Sequence, residues 1–215
     1  MCRGTLRLML ELATGSGLAL SAGLNAWIPL IFLGVLSRFT DLVELPGTWA
    51  WLENGWVMAI LVVLLVLEFA ADKIPVLDSI NDVVQTVIRP TAGGIAFGAG
   101  SMSETATVTD PGAFVQSGQW IPIVAGVVLA LGTHAAKAGG RVVANTVSGG
   151  TAAPVVSAAE DATSIGVSFL AVLAPLAIIP VMILFVVGVI MLIRSLVKHR
   201  RARAAGQGGG DAYYV

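Results

Sequence analysis

Residues 165–193 read IGVSFLAVLAPLAIIPVMILFVVGVIMLI, a run without a charged side chain. A second uncharged run, LATGSGLALSAGLNAWIPLIFLGVL, covers residues 12–36. A helix needs about 20 mostly apolar residues to cross the hydrocarbon core of a bilayer. Both runs exceed this length, so each predicts a transmembrane helix.

The composition of the whole chain agrees with this prediction. Hydrophobic residues make up 56% and charged residues 12% of its 215 residues, and the mean hydropathy is +0.89. Soluble domains are about 45–50% apolar and about one quarter charged. The predicted fold is therefore an all-α integral membrane protein. One transmembrane domain is expected at residues 12–194, between an N-terminal segment at 1–11 and a basic, Gly-rich disordered tail at 195–215.

Four further stretches bring the predicted number of membrane-embedded helices to about six. Residues 56–71 and 120–136 are strongly apolar. Residues 78–100 and 142–166 are weaker, because glycine, proline and charged residues interrupt them. These two helices are expected to be broken, and they either span the bilayer or re-enter it.

The basic residues indicate the orientation. Among the 12 Lys and Arg residues, Arg38 lies in an acidic loop with Asp41, Glu44 and Glu53, and the side of Arg89 is ambiguous. The others lie on or near one side, which the positive-inside rule assigns to the cytoplasm. This distribution predicts a multi-pass protein of the bacterial inner (plasma) membrane with both termini in the cytoplasm, including residues 1–11. The first apolar run is longer than the core of about 7–15 residues of a signal peptide, so it predicts an anchor.

The predicted partners follow from the same features. The lipid bilayer surrounds the apolar helices, and the basic tail is expected to contact anionic lipids. Small residues let helices pack closely, so Gly94-xxx-Gly98 offers a surface for a homodimer. No nucleic-acid partner is predicted.

The chain matches itself at an offset of 64 residues, which predicts a parallel internal repeat with units at about 56–100 and 120–166. Repeated transporters place their binding sites where corresponding helices are interrupted. The matched residue types that are rarest in apolar sequences are Trp56 with Trp120, Lys73 with Lys137, Asn81 with Asn145 and Pro90 with Pro154.

Charged residues within these interrupted segments are the candidate site. An ionisable side chain at mid-bilayer costs at least about 2.5–3.5 kcal/mol, so it usually faces a cavity or a partner and marks a function. The alternative is that Glu68, Asp72, Lys73, Asp78 and Asp82 mark a solvated cytoplasmic turn. The predicted substrate-binding residues are Lys73, Arg89, Lys137, Arg141, Asn81 and Asn145. The predicted residues for proton or ion coupling are Asp72, Asp78, Asp82, His134, Glu160 and Asp161.

Metal and catalytic chemistry have little support in the sequence. Cys2 is the one cysteine, and the two histidines have no ligand partners at a suitable spacing. A carboxylate-rich Mg²⁺ site at Asp78, Asp82, Glu160 and Asp161 is a minor alternative. No His-Glu-x-x-His or Gly-x-Ser-x-Gly motif is present. We therefore predict no metal, no cofactor and no catalytic residues.

Several of these motifs together resemble a family of small bacterial membrane proteins known as a domain of unknown function, number four-one-two-six. The resemblance covers about residues 10–190 and has no established activity attached to it. The motifs that carry it are Gly23-Leu-Asn-Ala26, Glu68-Phe-Ala-Ala-Asp-Lys-Ile-Pro75 with Asp78 and Asp82, Arg89-Pro90, His134-Ala-Ala-Lys-Ala-Gly-Gly-Arg141, Asn145 and Glu160-Asp161.

Two functions from different classes fit the sequence. The first is a small transporter or channel-like protein with a charged cavity open to the cytoplasm, for an anionic solute or a lipid head group. The second is a membrane scaffold or assembly protein without transport, in which internal salt bridges fix the helix register. A lipid-modifying intramembrane enzyme is the weakest of the alternatives.

Overall fold

A computed structural model describes residues 2–72, 75–101, 116, 118 and 120–207. Within these residues the chain forms seven α-helices and no strand, which confirms the all-α prediction for this part. The helices are α1 (Cys2–Leu24), α2 (Trp27–Phe39), α3 (Gly55–Ala71), α4 (Pro75–Gly100), α5 (Trp120–Ser148), α6 (Ala153–Leu173) and α7 (Ile178–Gln207). Short 3-10 helices cover Ala50–Glu53 and Pro175–Ala177.

The apolar character of the helices supports the predicted membrane class. By length and composition, α5 and α6 are each able to cross a membrane. Shorter apolar helices are formed by α2, by α3 and by residues Pro175–Met191. These lengths do not confirm the predicted six crossings.

The uncharged run at residues 12–36 is not one helix, so this prediction is wrong. α1 ends at Leu24 and α2 begins at Trp27. The side-chain Oδ1 of Asn25 accepts hydrogen bonds from the main-chain N–H groups of Trp27 (3.1 Å) and Ile28 (3.3 Å). The first N–H groups of a helix have no partner inside it. Asn25 therefore stabilises a second helix start inside the apolar run.

A cavity of about 240 Å³ shows where the ends of α1 and α2 lie. Its lining includes Arg7 near the start of α1, Leu42 after α2, Gly100 at the end of α4 and Pro175 after α6. These residues meet at one end of the helix bundle, which we call the loop end. The first turns of α1 thus lie beside the acidic loop, whereas a single crossing helix would separate them.

The run at residues 165–193 is also divided, so its prediction as one span is wrong. α6 ends at Leu173, a 3-10 turn follows, and α7 begins at Ile178. Pro175 has no N–H group to continue the hydrogen bonds of α6. α7 then continues through Gln207, so the tail predicted to be disordered from residue 195 is helical in its first part.

The helix predicted at residues 120–136 is longer than expected. It was predicted to end near residue 136, but α5 is continuous through Ser148. The helix ends at the interruption predicted from Gly149 and Gly150, whose φ angles of +61° and +87° lie in the left-handed region. Glycine adopts this region without a steric penalty, which explains why the chain turns here.

The helix boundaries do not support the 64-residue duplication. α3 ends at Ala71, but the residue at the matching position, Ala135, lies inside α5. α4 begins at Pro75, and its counterpart Gly139 is also inside α5. The two proposed repeat units therefore differ in where their helices break.

Glycines bring α4 and α5 into backbone contact. A Cβ atom on Gly126 would collide with the main chain of Gly93 and with the side chain of Phe97. Gly94 packs against α5, and Gly98 packs against Trp49. The Gly94-xxx-Gly98 surface predicted for a homodimer is therefore used within the chain.

This contact leads to a test of the packing. We expect Gly126→Ala to lower the free energy of unfolding by about 1–3 kcal/mol, because the added methyl group overpacks the crossing. Gly140→Ala on the same helix is the matched control, since a Cβ atom there meets nothing within 4 Å. Unfolding of the purified protein in mixed detergent micelles measures both. Equal stability of the two variants would contradict the close crossing.

Candidate functional site

Charged and polar side chains from four helices meet in the interior of the bundle. Residues four apart on a helix lie on one face, which brings Glu68 and Asp72 together and likewise Lys137 and Arg141. We call this group the charged network. Its members are Glu68 and Asp72 at the end of α3, Asn81, Asp82 and Arg89 in α4, His134, Lys137 and Arg141 in α5, and Glu160 and Asp161 in α6.

Arg89 and Glu68 form the most deeply buried ion pair among the described residues. Arg89 Nη2 donates to Glu68 Oε1 over 2.7 Å, and the two side chains are 0% and 1% exposed. Within the described part of the chain, Arg89 Nε and Glu68 Oε2 have no hydrogen-bond partner. The pair therefore makes one of the two parallel bonds that a side-on arginine and carboxylate can form.

His134 of α5 contacts both Arg89 and Thr86 of α4 in a defined tautomer. Arg89 Nη1 lies 3.1 Å from His134 Nδ1, and an arginine can only donate, so Nδ1 is the acceptor. In a neutral ring the proton is then on Nε2, which lies 3.2 Å from Thr86 Oγ1. Thr86 Oγ1 in turn donates to the carbonyl of Asp82 over 2.9 Å. The geometry thus favours an uncharged imidazole.

A second group of ion pairs surrounds Arg141 and Lys137. Arg141 Nη2 lies 2.8 Å from Glu160 Oε2 and 3.2 Å from Asp72 Oδ2. Lys137 Nζ lies 3.0 Å from Glu160 Oε2 and 3.9 Å from Asp72 Oδ2. At the edge of the network, Arg141 Nη1 is 3.9 Å from Asp82 Oδ1. Two cations of α5 therefore share carboxylates from α3 and α6.

Asp72 accepts bonds from three directions. Besides Arg141, its carboxylate accepts from Asn81 Nδ2 (2.9 Å) and Ser157 Oγ (3.3 Å). The neighbouring charges of Lys137 and Arg141 and the bond from Asn81 stabilise the charged form of Asp72, which is therefore held as a carboxylate.

The break between α1 and α2 reaches the same network. Lys137 Nζ donates to the carbonyl of Leu24 over 3.0 Å, at the last residue of α1. Asn25 Nδ2 donates to Asp161 Oδ1 over 3.0 Å. One side chain, Asn25, thus supports the start of α2 and holds a carboxylate of α6.

A cluster of serines lies next to this contact. Ser21 Oγ is 2.7 Å from both Ser164 Oγ and Ser168 Oγ, and all three residues are fully buried. Hydrogen bonds of this kind hold helices together in an apolar surrounding. They fix α1 against α6 beside the charged network.

The structure brings most of the predicted site residues together. Arg89, Lys137, Arg141, Asn81, Asp72, Asp82, His134, Glu160 and Asp161 belong to the network. Lys73 and the side chain of Asp78 lie outside the described residues. Asn145 is one turn beyond Arg141 on α5, and its main-chain carbonyl accepts a hydrogen bond from the N–H of Gly150. It is therefore not joined to the network by a described bond.

Two residues of the network region were missed. The sequence placed Glu68 only in the alternative of a solvated turn, although its spacing of four from Asp72 was a readable signal. Asn25 was noticed only within a motif, because nothing in a continuous apolar run shows that its amide reaches Asp161. The solvated-turn interpretation fails for Glu68 and Asp72, which are both 3% exposed.

The network is electrically balanced in its core. The cations Arg89, Lys137 and Arg141 face the carboxylates Glu68, Asp72 and Glu160. Removing charges from water costs several kcal/mol per ion, so a buried pair is weak evidence for stability. Charged residues in the interior of a membrane bundle are, by default, candidates for a functional site.

Within the described residues, no group of three or more His, Cys, Asp or Glu side chains is arranged to hold a metal ion.

In the comparison with protein families, the model of the family described as Domain of unknown function (DUF4126) matches residues 12–195. The chain belongs to this family. The resemblance drawn from the motifs is thereby confirmed, and the match includes every residue of the charged network of this DUF4126 protein. No curated protein and no solved structure matches the chain.

The buried pair of this DUF4126 protein leads to a double-mutant test. Glu68→Leu leaves the Arg89 guanidinium buried without its carboxylate, so we expect a loss of about 3–5 kcal/mol in the free energy of unfolding. Glu68→Leu with Arg89→Leu removes both charges and should recover most of that loss.

Arg7→Leu is the control, because the Arg7 side chain in the Arg7–Glu11 pair is 77% exposed and an exposed pair contributes little. Unfolding in mixed micelles measures all the variants. If the stability lost in the double variant equals the sum of the losses in Glu68→Leu and in Arg89→Leu alone, the two side chains are not coupled.

Proposed function

We propose that the chain is a small multi-pass transporter of the bacterial inner (plasma) membrane that moves a small anionic solute through the charged network. The observation that carries the proposal is the convergence of Arg89, Lys137 and Arg141 in the buried interior. Three cations held in one apolar bundle form a strong site for a negatively charged group. The network provides them from two helices, α4 and α5.

The carboxylates of the charged network fit this function, because they pair with the cations when no solute is bound. Glu68, Asp72 and Glu160 keep the cations paired, so the site has no large uncompensated charge without solute. An anion that replaces one carboxylate at the same cation leaves the number of ion pairs unchanged. A ligand exchange of this kind avoids the cost of an unpaired buried charge.

The proposed orientation places the end of the bundle opposite the loop end in the cytoplasm. α7 begins beside Gly17, which faces Ile178, and it passes Gly132 at Phe185. It therefore runs away from the loop end, and its later residues include Arg194, Lys198 and Arg200. The positive-inside rule assigns these basic residues to the cytoplasm, where they contact anionic lipid head groups.

The N-terminus then has the opposite location. The start of α1 is at the loop end, next to Leu42 and Pro175. Under this proposal it faces the outside, in contrast to the expectation from the sequence that both termini are cytoplasmic. The proposed crossings are those of α1 to α7, with α1 and α2 as a hairpin.

The second candidate function is a membrane scaffold without transport. The observation that favours it is the pairing of Lys137 and Arg141 with Asp72 and Glu160 in one closed group. Buried ion pairs fix the register of helices in some proteins. A scaffold requires only that the pairs persist, whereas a transporter requires that they open.

Transport by purified protein in liposomes distinguishes the two functions. We expect uptake of at least one of three radiolabelled probes, lactate, succinate and inorganic phosphate, above that of protein-free liposomes. Arg141→Gln and Lys137→Gln should each reduce the uptake to the background, because each removes a cation of the site.

Arg38→Gln is the matched control, since Arg38 bonds to the carbonyl of Glu53 in the acidic loop and is not part of the network. Its uptake should equal that of the wild type. Uptake that persists unchanged in both α5 variants would contradict the proposed site, and a lack of uptake for every probe would favour the scaffold.

A further inference from the structure

Three residues of α4 are spaced four apart on one face of the helix. Asn81 and Arg89 bond to Asp72 and Glu68, which are four apart at the end of α3. Gln85 lies midway between Asn81 and Arg89 on that face, and it is only 2% exposed.

Gln85 Oε1 and Glu68 Oε2 are both buried, and neither has a hydrogen-bond partner among the described residues. A buried polar atom without a partner costs about 1–3 kcal/mol. Both atoms are acceptors as long as Glu68 is charged. A proton on Glu68 Oε2 would turn that oxygen into a donor, which a buried acceptor such as Gln85 Oε1 can satisfy.

Arg89 has the complementary feature. Its Nη2 donates to Glu68 and its Nη1 to His134, while Nε has no partner in the described part of the structure. A planar oxyanion approaching from the side binds Nε and Nη2 of an arginine with two parallel bonds. An incoming carboxylate would thus make one bond more with Arg89 than Glu68 does.

We propose that Glu68 is the proton-carrying group of the transporter, that Gln85 accepts the bond from its protonated form, and that the released Arg89 binds a monovalent oxyanion such as a carboxylate. This inference rests on the proposed transport function. In the step, Glu68 Oε2 takes a proton from a hydronium ion and forms an O–H bond. The ion pair between Glu68 and Arg89 ends, and the oxyanion forms a new pair with Arg89.

The charge balance gives the ratio of protons to anions in the proposed transport step. The proton adds one positive charge to the network and the oxyanion adds one negative charge, so the buried net charge does not change. A change in buried net charge would be costly at low dielectric. The coupled movement is therefore an electroneutral symport of one proton with one monovalent anion.

The neighbouring groups direct the proton to Glu68. The charged groups facing it are Arg89 from α4, Lys137 from α5 and Asp72 at the end of α3. His134 is held uncharged, because its Nδ1 accepts from Arg89 and a proton there would break that bond. Asp72 accepts bonds from Asn81, Arg141 and Ser157, which stabilise its charged form. Glu68 has one such bond and one free oxygen.

Infrared difference spectroscopy of the reconstituted full chain tests the protonation without a substrate. Between mildly alkaline and mildly acidic buffer, we expect a carbonyl band of a buried protonated carboxyl group. Glu68→Gln should remove this band and Gln85→Leu should shift it, because its hydrogen-bond acceptor is lost. Glu11→Gln, at the loop end, is the control and should keep the band unchanged. A band that persists unchanged in Glu68→Gln, or no band in the wild type, overturns the proposal.

Thermal unfolding tests the oxyanion site in variants that retain their size. Glu68→Gln imitates the protonated carboxyl, so sodium formate should raise its unfolding temperature more than sodium chloride at the same ionic strength. Arg89→Gln in the same background should abolish the difference. Equal effects of formate and chloride on Glu68→Gln would overturn the role of Arg89.

The two proposals fail in different experiments. If a probe is transported but the Glu68 band is missing, Glu68 does not carry the proton, and the proposed transport function still stands. If the Glu68 band and the formate effect are both seen but no probe is taken up, the proton and anion sites stand and the proposed transport function fails.

Discussion

The guanidinium of Arg141 connects three parts of the bundle. Its Nη2 lies 2.8 Å from Glu160 and 3.2 Å from Asp72, so one side chain of α5 holds α6 and the end of α3. The arrangement depends on the burial of these side chains, because such contacts are weak when both partners are exposed. Once the carboxylates of α3 and α6 are buried, the cations of α5 must stay beside them. The positions of α3, α5 and α6 are therefore mutually constrained.

Small residues make this burial possible. Gly93 and Gly126 let the backbones of α4 and α5 touch, and Gly23 lets α1 approach Ala130 in the same way. With larger side chains these helices would be farther apart, and Arg89 would not reach both Glu68 and His134. Close packing in one part of the bundle and ion pairing in the next are thus parts of one geometry.

The sequence predicted the helical class and most of the network, because ionisable residues are conspicuous in apolar segments. It did not predict the helix boundaries in the two uncharged runs. Asn25 acts through hydrogen bonds to Trp27 and Ile28, which hydropathy does not register. Glu68 was misjudged because its environment depends on Arg89, 21 residues away in sequence and on another helix. Patterns reveal which face of a helix is polar, whereas the partner across the interface follows from tertiary packing.

The shortness of α2 has a consequence for the bilayer. Its 13 residues extend about 20 Å at 1.5 Å per residue, whereas a typical hydrocarbon core is about 30 Å thick. In the proposed membrane setting, one end of α2 meets the buried Asn25 and the other ends at Phe39, which is 70% exposed. Lipids adapt to a short hydrophobic segment by thinning locally. Under the proposed topology, the bilayer beside α2 is therefore compressed next to the end of the helix where Asn25 reaches the charged network.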